Sequence, residues 1–202
     1  MQKALLLVAS YLLGSIPFGL LIVRAWKGID IRKYGSGNIG ATNVLRAAGR
    51  GPAAVVFLAD VSKGLAPVLA AQRLFSETAW MAVAAGMLAM IGHTLSVFLK
   101  FRGGKGVATG LGIFIGLAPP AAGIAFAVWL IVLGITRYVS VASMIGALCV
   151  PVTMCALGTP LPYKGFAILA ALFIIIKHRS NISRLLRGSE PRIGEKVAVS
   201  EG

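Results

Sequence analysis

Residues 106–136, GVATGLGIFIGLAPPAAGIAFAVWLIVLGIT, form an uncharged run of 31 residues that decides how the chain folds. As a single helix the run would be about 46 Å long at 1.5 Å per residue, whereas the hydrocarbon core of a bilayer is about 30 Å thick. Pro119 and Pro120 lie near its middle, where proline ends or kinks a helix. The run is therefore either one steeply tilted helix or two shorter helices that meet at the prolines.

The composition is that of an integral membrane protein. Apolar residues make up 57% of the chain and charged residues 13%, about half the charged share of a soluble domain, and the mean hydropathy is +0.86. A helix needs about 20 apolar residues to cross a bilayer. The apolar runs, together with the distribution of charge described next, predict an all-α bundle of seven transmembrane helices in one domain, residues 1–196. The predicted spans are 4–24, 52–72, 78–99, 106–118, 120–136, 139–158 and 161–177.

The distribution of charge favours two helices in the 31-residue run. Lys and Arg number 20 against 6 Asp and Glu, a formal net charge of +14. If the run forms two helices, 16 of the 20 basic residues fall on one side of the membrane: 6 in 24–50, 3 in 100–105, 1 at 137 and 6 in 177–202. If it forms one long helix, this asymmetry nearly vanishes. Because cytoplasmic loops are rich in Lys and Arg, the N-terminus is predicted outside and the C-terminus in the cytoplasm.

The composition and the cysteine spacing disfavour several classes of function. With few aromatic residues and long apolar runs, the basic excess indicates a membrane face rather than a nucleic-acid partner. The cysteines, Cys149 and Cys155, lack zinc-ligand spacing, and no two acidic residues stand together, so no metal site is predicted. The first apolar run is too long for a signal peptide and is expected to remain as a span. Residues 197–202, VAVSEG, are expected to be an added tail without a role.

Residues 34–50, YGSGNIGATNVLRAAGR, form the first of three polar, glycine-rich segments that the topology brings to the cytoplasmic face. Within 41–48, hydroxyl, amide and guanidinium groups three and four residues apart share one helix face. Such a face suits a phosphorylated ligand. The alternative is a capped surface helix with ordinary hydrogen bonds. The candidate binding residues are Ser36, Asn38, Thr42, Asn43 and Arg46.

Residues 100–110, KFRGGKGVATG, look like a phosphate-binding loop but fit no nucleotide motif. The Walker motif needs Ser or Thr directly after its lysine, whereas Gly106 follows Lys105. Glycines with φ > 0 can still turn their N–H groups inward, and the N-terminus of the next helix favours an anion. The alternative is a tight turn whose basic residues only follow the positive-inside rule. The candidate binding residues are Arg102, Gly103, Gly104, Lys105, Gly106 and Thr109.

Residues 177–190, KHRSNISRLLRGSE, continue the last predicted span. His178 and Asn181 are three residues apart and share a helix face. A histidine at a membrane boundary can titrate, donate a hydrogen bond or act as a general base. The alternative is a set of basic residues that anchors the span to anionic headgroups.

Asp60, Lys63 and His93 lie well inside predicted spans. Asp60 and Lys63 are at i and i+3, which predicts a structural ion pair facing the bundle interior, since charges are costly in the bilayer. A proton or ion path is the alternative, although no further acidic residues extend it. His93, in the third span, is interpreted either as a buried histidine with its hydrogen bonds satisfied or as support for the following loop, rather than as a ligand.

Taken together, the three segments SGNIGATNVLR (36–46), FRGGKGVATG (101–110) and KHRSNISRL (177–185) resemble the three cytoplasmic motifs of the bacterial acyl-phosphate-dependent glycerol-3-phosphate acyltransferases. The resemblance covers nearly the whole chain, from LLGSIPFG (12–19) to GSE (188–190). It implies transfer of a fatty acyl group from acyl phosphate to the 1-hydroxyl of glycerol 3-phosphate. The implied products are lysophosphatidic acid and phosphate, in phospholipid synthesis at the cytoplasmic face of the bacterial inner membrane.

The resemblance also implies roles for individual residues. Gly103, Gly104 and Gly106 match the site that holds the phosphate of acyl phosphate, and Glu190 matches a glutamate that supports the structure. The implied partners are membrane lipids and a soluble enzyme that produces acyl phosphate, and no cofactor is implied. The implied catalytic residues are Ser36, Arg46, Lys105, His178 and Asn181.

Two other classes compete with an enzyme. A transporter for a phosphorylated solute would have broken helices near the middle of the membrane and an inverted repeat, whereas the polar segments here cluster at one face and no repeat is evident. A scaffold that binds anionic lipid would need basic charge but not clustered Gly, Asn and Ser.

Overall fold

The computed structural model describes residues 1–195, and over this range every regular element is helical, as predicted; the tail 197–202 lies outside the described residues. Two 3₁₀ turns, Ile31–Lys33 and Val97–Leu99, accompany ten α-helices. The helices are α1 (Gln2–Ser15), α2 (Phe18–Lys27), α3 (Ala41–Ala48), α4 (Arg50–Leu74), α5 (Ala79–Thr94), α6 (Val107–Leu117), α7 (Pro119–Thr136), α8 (Val139–Ala156), α9 (Leu161–Lys177) and α10 (Arg179–Leu186).

The uncharged run 106–136 forms two helices that meet at the proline pair. Helix α6 ends at Leu117, and Ala118 leaves the helical conformation with φ −153° and ψ 77°. Pro119 and Pro120 then occupy the first turn of α7, where a missing N–H removes no intrahelical hydrogen bond. With 11 residues, α6 is only about 16 Å long, roughly half the thickness of the hydrocarbon core.

The first predicted span is broken rather than continuous. Helices α1 and α2 are bent by 41°, because Pro17 lacks an N–H and disfavours helical geometry in the residue before it. The break frees two carbonyl groups. The Ser96 hydroxyl donates to the carbonyl of Ser15 at 2.6 Å, and the Lys63 ammonium donates to that of Ile16 at 2.9 Å. These two bonds tie the break to α4 and to the end of α5.

Helices pack closely where glycines face a neighbouring backbone. A Cβ at Gly64 of α4 would lie less than 3.0 Å from the carbonyl of Thr109, and one at Gly112 of α6 would overlap the carbonyl of Val61. Small residues permit this approach inside membranes, where packing rather than hydrophobicity drives helix association. Because α6 is short, this contact with the 25-residue α4 holds it in place.

Four helical segments are individually long and apolar enough to cross a membrane: α4, residues 79–99, α7 and α8. The pairs α1–α2 and α9–α10, bent by 41° and 54°, each qualify as one bent span, and α6 is a shorter apolar helix. The chain thus has the helices of an integral membrane protein. The count of seven spans and their orientation stay predictions.

The four basic segments meet at one end of the bundle, as the charge argument requires. Three hydrogen-bonded contacts join them: Arg46 Nη2 to the carbonyl of Pro191 (3.1 Å), Lys105 Nζ to Asn181 Oδ1, and the N–H of Ile193 to the carbonyl of Arg137 (2.8 Å). This shared end, called the basic end below, contains all three glycine-rich segments.

Candidate active site

A cavity of about 440 Å³ lies where the three glycine-rich segments meet. Its polar end lies between α3, the turn before α6 and the junction of α9 with α10. Its apolar arm runs between α6, α7 and α8. All five residues predicted to be catalytic line this cavity: Ser36, Arg46, Lys105, His178 and Asn181.

The apolar arm is built from aromatic and small side chains. Phe114 of α6 and Val150 of α8 face Phe126 and Trp129 of α7 across it. The rings of Phe126 and Trp129 stack with centroids 5.8 Å apart, and the indole N–H of Trp129 donates to the hydroxyl of Ser143 at 3.3 Å. A ligand with one charged and one alkyl end fits such a cavity, since apolar walls bury surface and a few polar groups fix orientation.

Asn43 organises the loop that leads into α3. Its side-chain N–H groups donate to the carbonyls of Tyr34 and Asn38 at 2.9 and 2.8 Å, and its Oδ1 accepts from the N–H of Ser36 at 2.9 Å. The residue is buried. The Asn43 amide thus shapes the loop that carries Ser36 and Asn38, and this explains its place in the segment without a ligand.

Arg46 projects from α3 towards the cavity and the C-terminal segment. Its Nη2 donates to the carbonyl of Pro191 at 3.1 Å. Its buried Nε–H has no hydrogen-bond acceptor among residues 1–195, so this donor is available to an anion. Burial lowers the pKa of the guanidinium from its ordinary value, but an arginine of this kind keeps its charge at physiological pH.

The glycine turn before α6 differs from the predicted nest of N–H groups. Gly106 has φ +85°, but Gly103 and Gly104 do not have positive φ. Their N–H groups donate to the carbonyls of Thr94 and His93, each at 3.0 Å. These carbonyls lie in the last turn of α5, where no N–H group of the same helix is available to donate to them. Gly103 and Gly104 therefore cap α5, and the prediction that their N–H groups surround a phosphate is wrong.

The ammonium group of Lys105 is held at the polar end of the cavity. It donates a hydrogen bond to Oδ1 of Asn181, which joins the glycine turn to α10. The pKa of Lys105 is lowered to about 8, chiefly by burial and in part by the positive charges of Arg184 and Arg46, while Glu190 opposes them. Gly106, Val107 and Ala108 line the cavity beside it. The first N–H groups of α6 have no intrahelical acceptor, so this corner favours an anion.

His178 is buried at the junction of α9 and α10, and its tautomer follows from its contacts. Nδ1 lies 2.8 Å from the carbonyl of Ile174. Since a carbonyl only accepts hydrogen bonds, Nδ1 carries the proton and Nε2 of the neutral ring carries the lone pair. The ring thus offers an acceptor nitrogen next to the cavity.

Glu190 joins three side chains behind the polar end. One carboxylate oxygen accepts from the hydroxyl of Ser140 and the amide of Asn181, both at 2.7 Å, and the other accepts from Nε of Arg184 at 2.7 Å. Burial alone would raise the pKa of this carboxyl, but the three hydrogen bonds outweigh it and the pKa lies below its ordinary value. Glu190 thereby fixes Asn181, the partner of Lys105.

The sequence and the fold are similar to those of known proteins. The family model described as glycerol-3-phosphate acyltransferase matches residues 4–188. The chain belongs to this family. Curated glycerol-3-phosphate acyltransferases include one from Synechococcus sp. (strain JA-2-3B'a(2-13)), 53% identical over 99% of this chain and 100% of the relative. Another, from Rubrobacter xylanophilus (strain DSM 9941 / JCM 11954 / NBRC 16129 / PRD-1), is 46% identical over 96% of both chains.

Solved structures agree with this assignment. The glycerol 3-phosphate form of PlsY (YgiH), an integral membrane glycerol 3-phosphate acyltransferase, is 41% identical and superposes with a TM-score of 0.92, covering 96% of both chains. Its lysophosphatidic acid form superposes with a TM-score of 0.90. This protein is thus an integral membrane glycerol-3-phosphate acyltransferase of phospholipid synthesis, and the predicted family, enzyme class and all-helical membrane fold are confirmed.

Within the acyltransferase, the predicted binding residues separate into groups. Asn38, Thr42, Asn43 and Gly106 line the main cavity. Arg102 and Gly103 instead line a second depression of about 470 Å³, which borders Ser36 and Asn38. Gly104 and Thr109 line neither; Thr109 is fully buried against α4.

The predicted ion pair in α4 of the acyltransferase is present. Lys63 Nζ lies 2.8 Å from Oδ1 of Asp60, and both side chains are buried. Asp60 and His93 line the cavity, and Nδ1 of His93 lies 3.7 Å from the Asp60 carboxylate. The pairing was predictable because residues at i and i+3 are neighbours on a helix.

The sequence analysis missed two contributors to the acyltransferase cavity, Ser140 and Trp129. Ser140 supports Glu190 from 50 positions away, and Trp129 forms the apolar arm. The sequence signal for Ser140 is weak. Ser140 and Ser143 are three residues apart in an apolar helix, so their hydroxyls lie on one face of it.

Proposed function

We propose that this acyltransferase uses acyl phosphate as donor and acylates the 1-hydroxyl of glycerol 3-phosphate, releasing lysophosphatidic acid and inorganic phosphate. One observation carries the proposal: a single cavity joins a cationic end, with Lys105 and Arg46, to an apolar arm between α6, α7 and α8. A phosphate group and a fatty chain in one donor need both parts. PlsY, 41% identical, is known in a glycerol 3-phosphate form and a lysophosphatidic acid form.

The cationic end offsets the repulsion between two phosphorylated substrates. Arg46 has a free buried Nε–H, Lys105 has its ammonium group, and the first turn of α6 has unpaired N–H groups. Holding both phosphates there brings the hydroxyl of one substrate near the acyl carbon of the other. Proximity of this kind accounts for several kcal/mol of a reaction barrier, since well-oriented groups reach effective molarities of about 10⁵–10⁸ M.

The chemical step needs one proton acceptor. The 1-hydroxyl oxygen attacks the acyl carbon, its proton passes to Nε2 of His178, and the bond from the acyl carbon to the phosphate oxygen breaks. Phosphate leaves with the electron pair and takes the proton back from the imidazolium. The hydrogen bond from Nδ1 to the carbonyl of Ile174 supports this role, because it leaves Nε2 unprotonated. Ser36 and Asn181 orient the substrates at the same end.

The reaction takes place at the cytoplasmic face of the inner membrane. Among the described residues, the segments that meet at the basic end hold 15 of the 20 basic residues of the chain, and this asymmetry is typical of the cytoplasmic side. Glycerol 3-phosphate then arrives from the cytoplasm, and the alkyl chain enters the apolar arm from the bilayer. A soluble enzyme that makes acyl phosphate supplies the donor at this face.

Phosphate release by the purified protein tests the proposal. With acyl phosphate and glycerol 3-phosphate together, we expect phosphate and lysophosphatidic acid in equal amounts, and neither with one substrate alone. Acyl-CoA and acylated acyl carrier protein serve as alternative donors with the same acyl chain, and we expect no transfer from them. Efficient transfer from acyl-CoA without phosphate release would contradict acyl phosphate as donor and leave the acyltransferase assignment intact.

A further inference from the structure

Three ionisable side chains are buried beside the cavity, and the proposed reaction uses none of them. Asp60 and Lys63 of α4 are each 2% exposed, and His93 of α5 is 4% exposed. Together they form what is called the buried cluster below. Charges at such positions are costly unless the structure gains from them.

One side of the buried cluster is fixed to the broken first span. Lys63 Nζ lies 2.8 Å from the Asp60 carboxylate and donates to the carbonyl of Ile16 at 2.9 Å. The ring of Phe18 lies 5.5 Å from the same ammonium group. The ammonium therefore has a carboxylate, a carbonyl and an aromatic face around it, and the position of Asp60 is set by a contact outside its own helix.

The other side of the buried cluster meets the glycine turn. The carbonyl of His93 accepts the N–H of Gly104 at 3.0 Å. The imidazole ring lies directly against Gly104, where an added Cβ would come closer than 3.0 Å to Nε2. The ring has no room to withdraw, because it is buried and Asp60 lies behind it, 3.7 Å from Nδ1.

From these contacts we infer that Asp60, Lys63 and His93 are positioning residues, which fix the glycine turn and so the location of the Lys105 ammonium in the cavity. The inference rests on the proposed function, in which Lys105 binds a substrate phosphate. Residue 104 must be glycine because the His93 ring occupies the space of a Cβ, and not because a phosphate approaches its main chain.

Gly103 provides the matched control for this assignment. An added Cβ at Gly103 would also come closer than 3.0 Å to its nearest neighbour, but that neighbour is the main-chain carbonyl of His93. Removal of the His93 ring creates space at Gly104 and none at Gly103. The alanine variants of these two adjacent glycines should therefore respond differently when His93→Ala is added.

The experiment measures kcat and KM of wild type and five variants: Gly104→Ala, Gly103→Ala, His93→Ala and each glycine variant combined with His93→Ala. We expect Gly104→Ala to lower kcat/KM about 10- to 100-fold, the effect of displacing a binding group by about 1 Å. Adding His93→Ala should remove the effect of Gly104→Ala, so that the double variant has the kcat/KM of His93→Ala alone. The same addition should recover nothing for Gly103→Ala. Absence of suppression at Gly104, or equal suppression at both glycines, would overturn the inference.

A second measurement separates positioning from general support of the fold. In His93→Ala we expect KM for acyl phosphate to rise at least fivefold and KM for glycerol 3-phosphate to rise less, with the midpoint of thermal unfolding recorded beside them. Equal rises in both KM values would assign His93 to the fold alone. If Gly104→Ala does not fold, the comparison of the two double variants still decides the inference. Absence of turnover by wild type with acyl phosphate would instead defeat the proposed function.

Discussion

His178 shows how a main-chain contact can select the chemistry of one side chain. Its Nδ1 is engaged by the carbonyl of Ile174, four residues earlier on α9. A glutamine at this position has an amide that can donate to the same carbonyl, but it has no nitrogen lone pair that accepts a proton. Comparing His178→Gln with His178→Ala therefore separates the effect of losing the hydrogen bond to Ile174 from the effect of losing a proton acceptor.

We expect both His178→Gln and His178→Ala to lower kcat by about 100-fold or more, because a general base contributes typically 10²–10⁴-fold. Steady-state phosphate release measures kcat in each variant. If His178→Gln retained turnover near that of wild type, the proton acceptor would be the substrate phosphate and His178 would only orient it.

Lys105 sets an alkaline limit on activity. Its pKa is lowered to about 8, chiefly by burial and in part by the charges of Arg184 and Arg46, while Glu190 opposes them. A lysine is cationic below its pKa, so anion binding is strongest well below pH 8 and is lost as the pH rises through 8. We expect kcat/KM, which reports groups of the free enzyme, to fall about tenfold per pH unit well above pH 8.

Substitution of Lys105 by arginine is the control for that pH dependence. The guanidinium stays charged throughout this pH range, so the alkaline decline of kcat/KM should disappear between pH 8 and pH 10, whatever the absolute rate. An unchanged decline in Lys105→Arg would assign the titration to a different group.

At the scale of elements, α7 and α8 form the wall that an alkyl chain would contact. Gly146 of α8 lies in this wall, and a Cβ there would meet the carbonyl of Ala125 at 3.4 Å, an ordinary contact. Alanine is therefore accommodated at this position, whereas a longer side chain enters the arm.

Gly146→Leu should shift the preference towards shorter acyl chains, while Gly146→Ala keeps the wild-type preference. Each methylene excluded from the arm costs about 0.8 kcal/mol, or about fourfold in kcat/KM. Competition between acyl phosphates of different lengths measures the shift. Equal losses for all chain lengths in Gly146→Leu would show that the chain binds elsewhere.

The segment after α10 is held to the bundle by Glu190. We expect Glu190→Ala to destabilise the protein by about 2–4 kcal/mol, since buried hydrogen bonds to a charged group are lost, and to lower kcat because Asn181 loses its acceptor. Thermal unfolding and turnover check both effects. Glu195→Ala is the control, because within residues 1–195 that exposed carboxylate accepts a hydrogen bond only from the N–H of Arg192.

Local contacts were predictable from the sequence and distant ones were not. The Asp60–Lys63 pair and the break at Pro119 depend on residues within one turn of a helix. The partners of Gly103 and Gly104 lie about ten residues earlier, at the end of α5. Glycine-rich sequence indicates free N–H groups equally for a phosphate and for a helix end, so only the packing distinguishes the two.

At the scale of the whole molecule, the two ends of the bundle differ in character. Lys105, Arg137 and the C-terminal segment meet at the basic end. At the opposite end the Lys3 ammonium lies 5.9 Å from the ring of Phe75, where α1 begins and α4 has finished. The end of the acyltransferase that contains the candidate active site is thus separated from a sparsely charged end.

Labelling of single cysteines tests which end faces the cytoplasm. In a background with Cys149 and Cys155 replaced by serine, we expect a membrane-impermeant maleimide to label Lys27→Cys and Arg187→Cys from the cytoplasmic side. It should label Glu77→Cys and Leu157→Cys from the outside only. Labelling of all four positions from one side would contradict the proposed orientation.

The kink at Pro17 bears on the cost of placing charges in α4. This helix has two buried charged side chains, Asp60 and Lys63, and each charge costs about 2.5–3.5 kcal/mol at the centre of an isolated span. The kink interrupts the hydrogen-bond ladder of the first span, and Lys63 donates to the carbonyl of Ile16 at this break. The irregular first span therefore offsets part of the cost of the charge in α4.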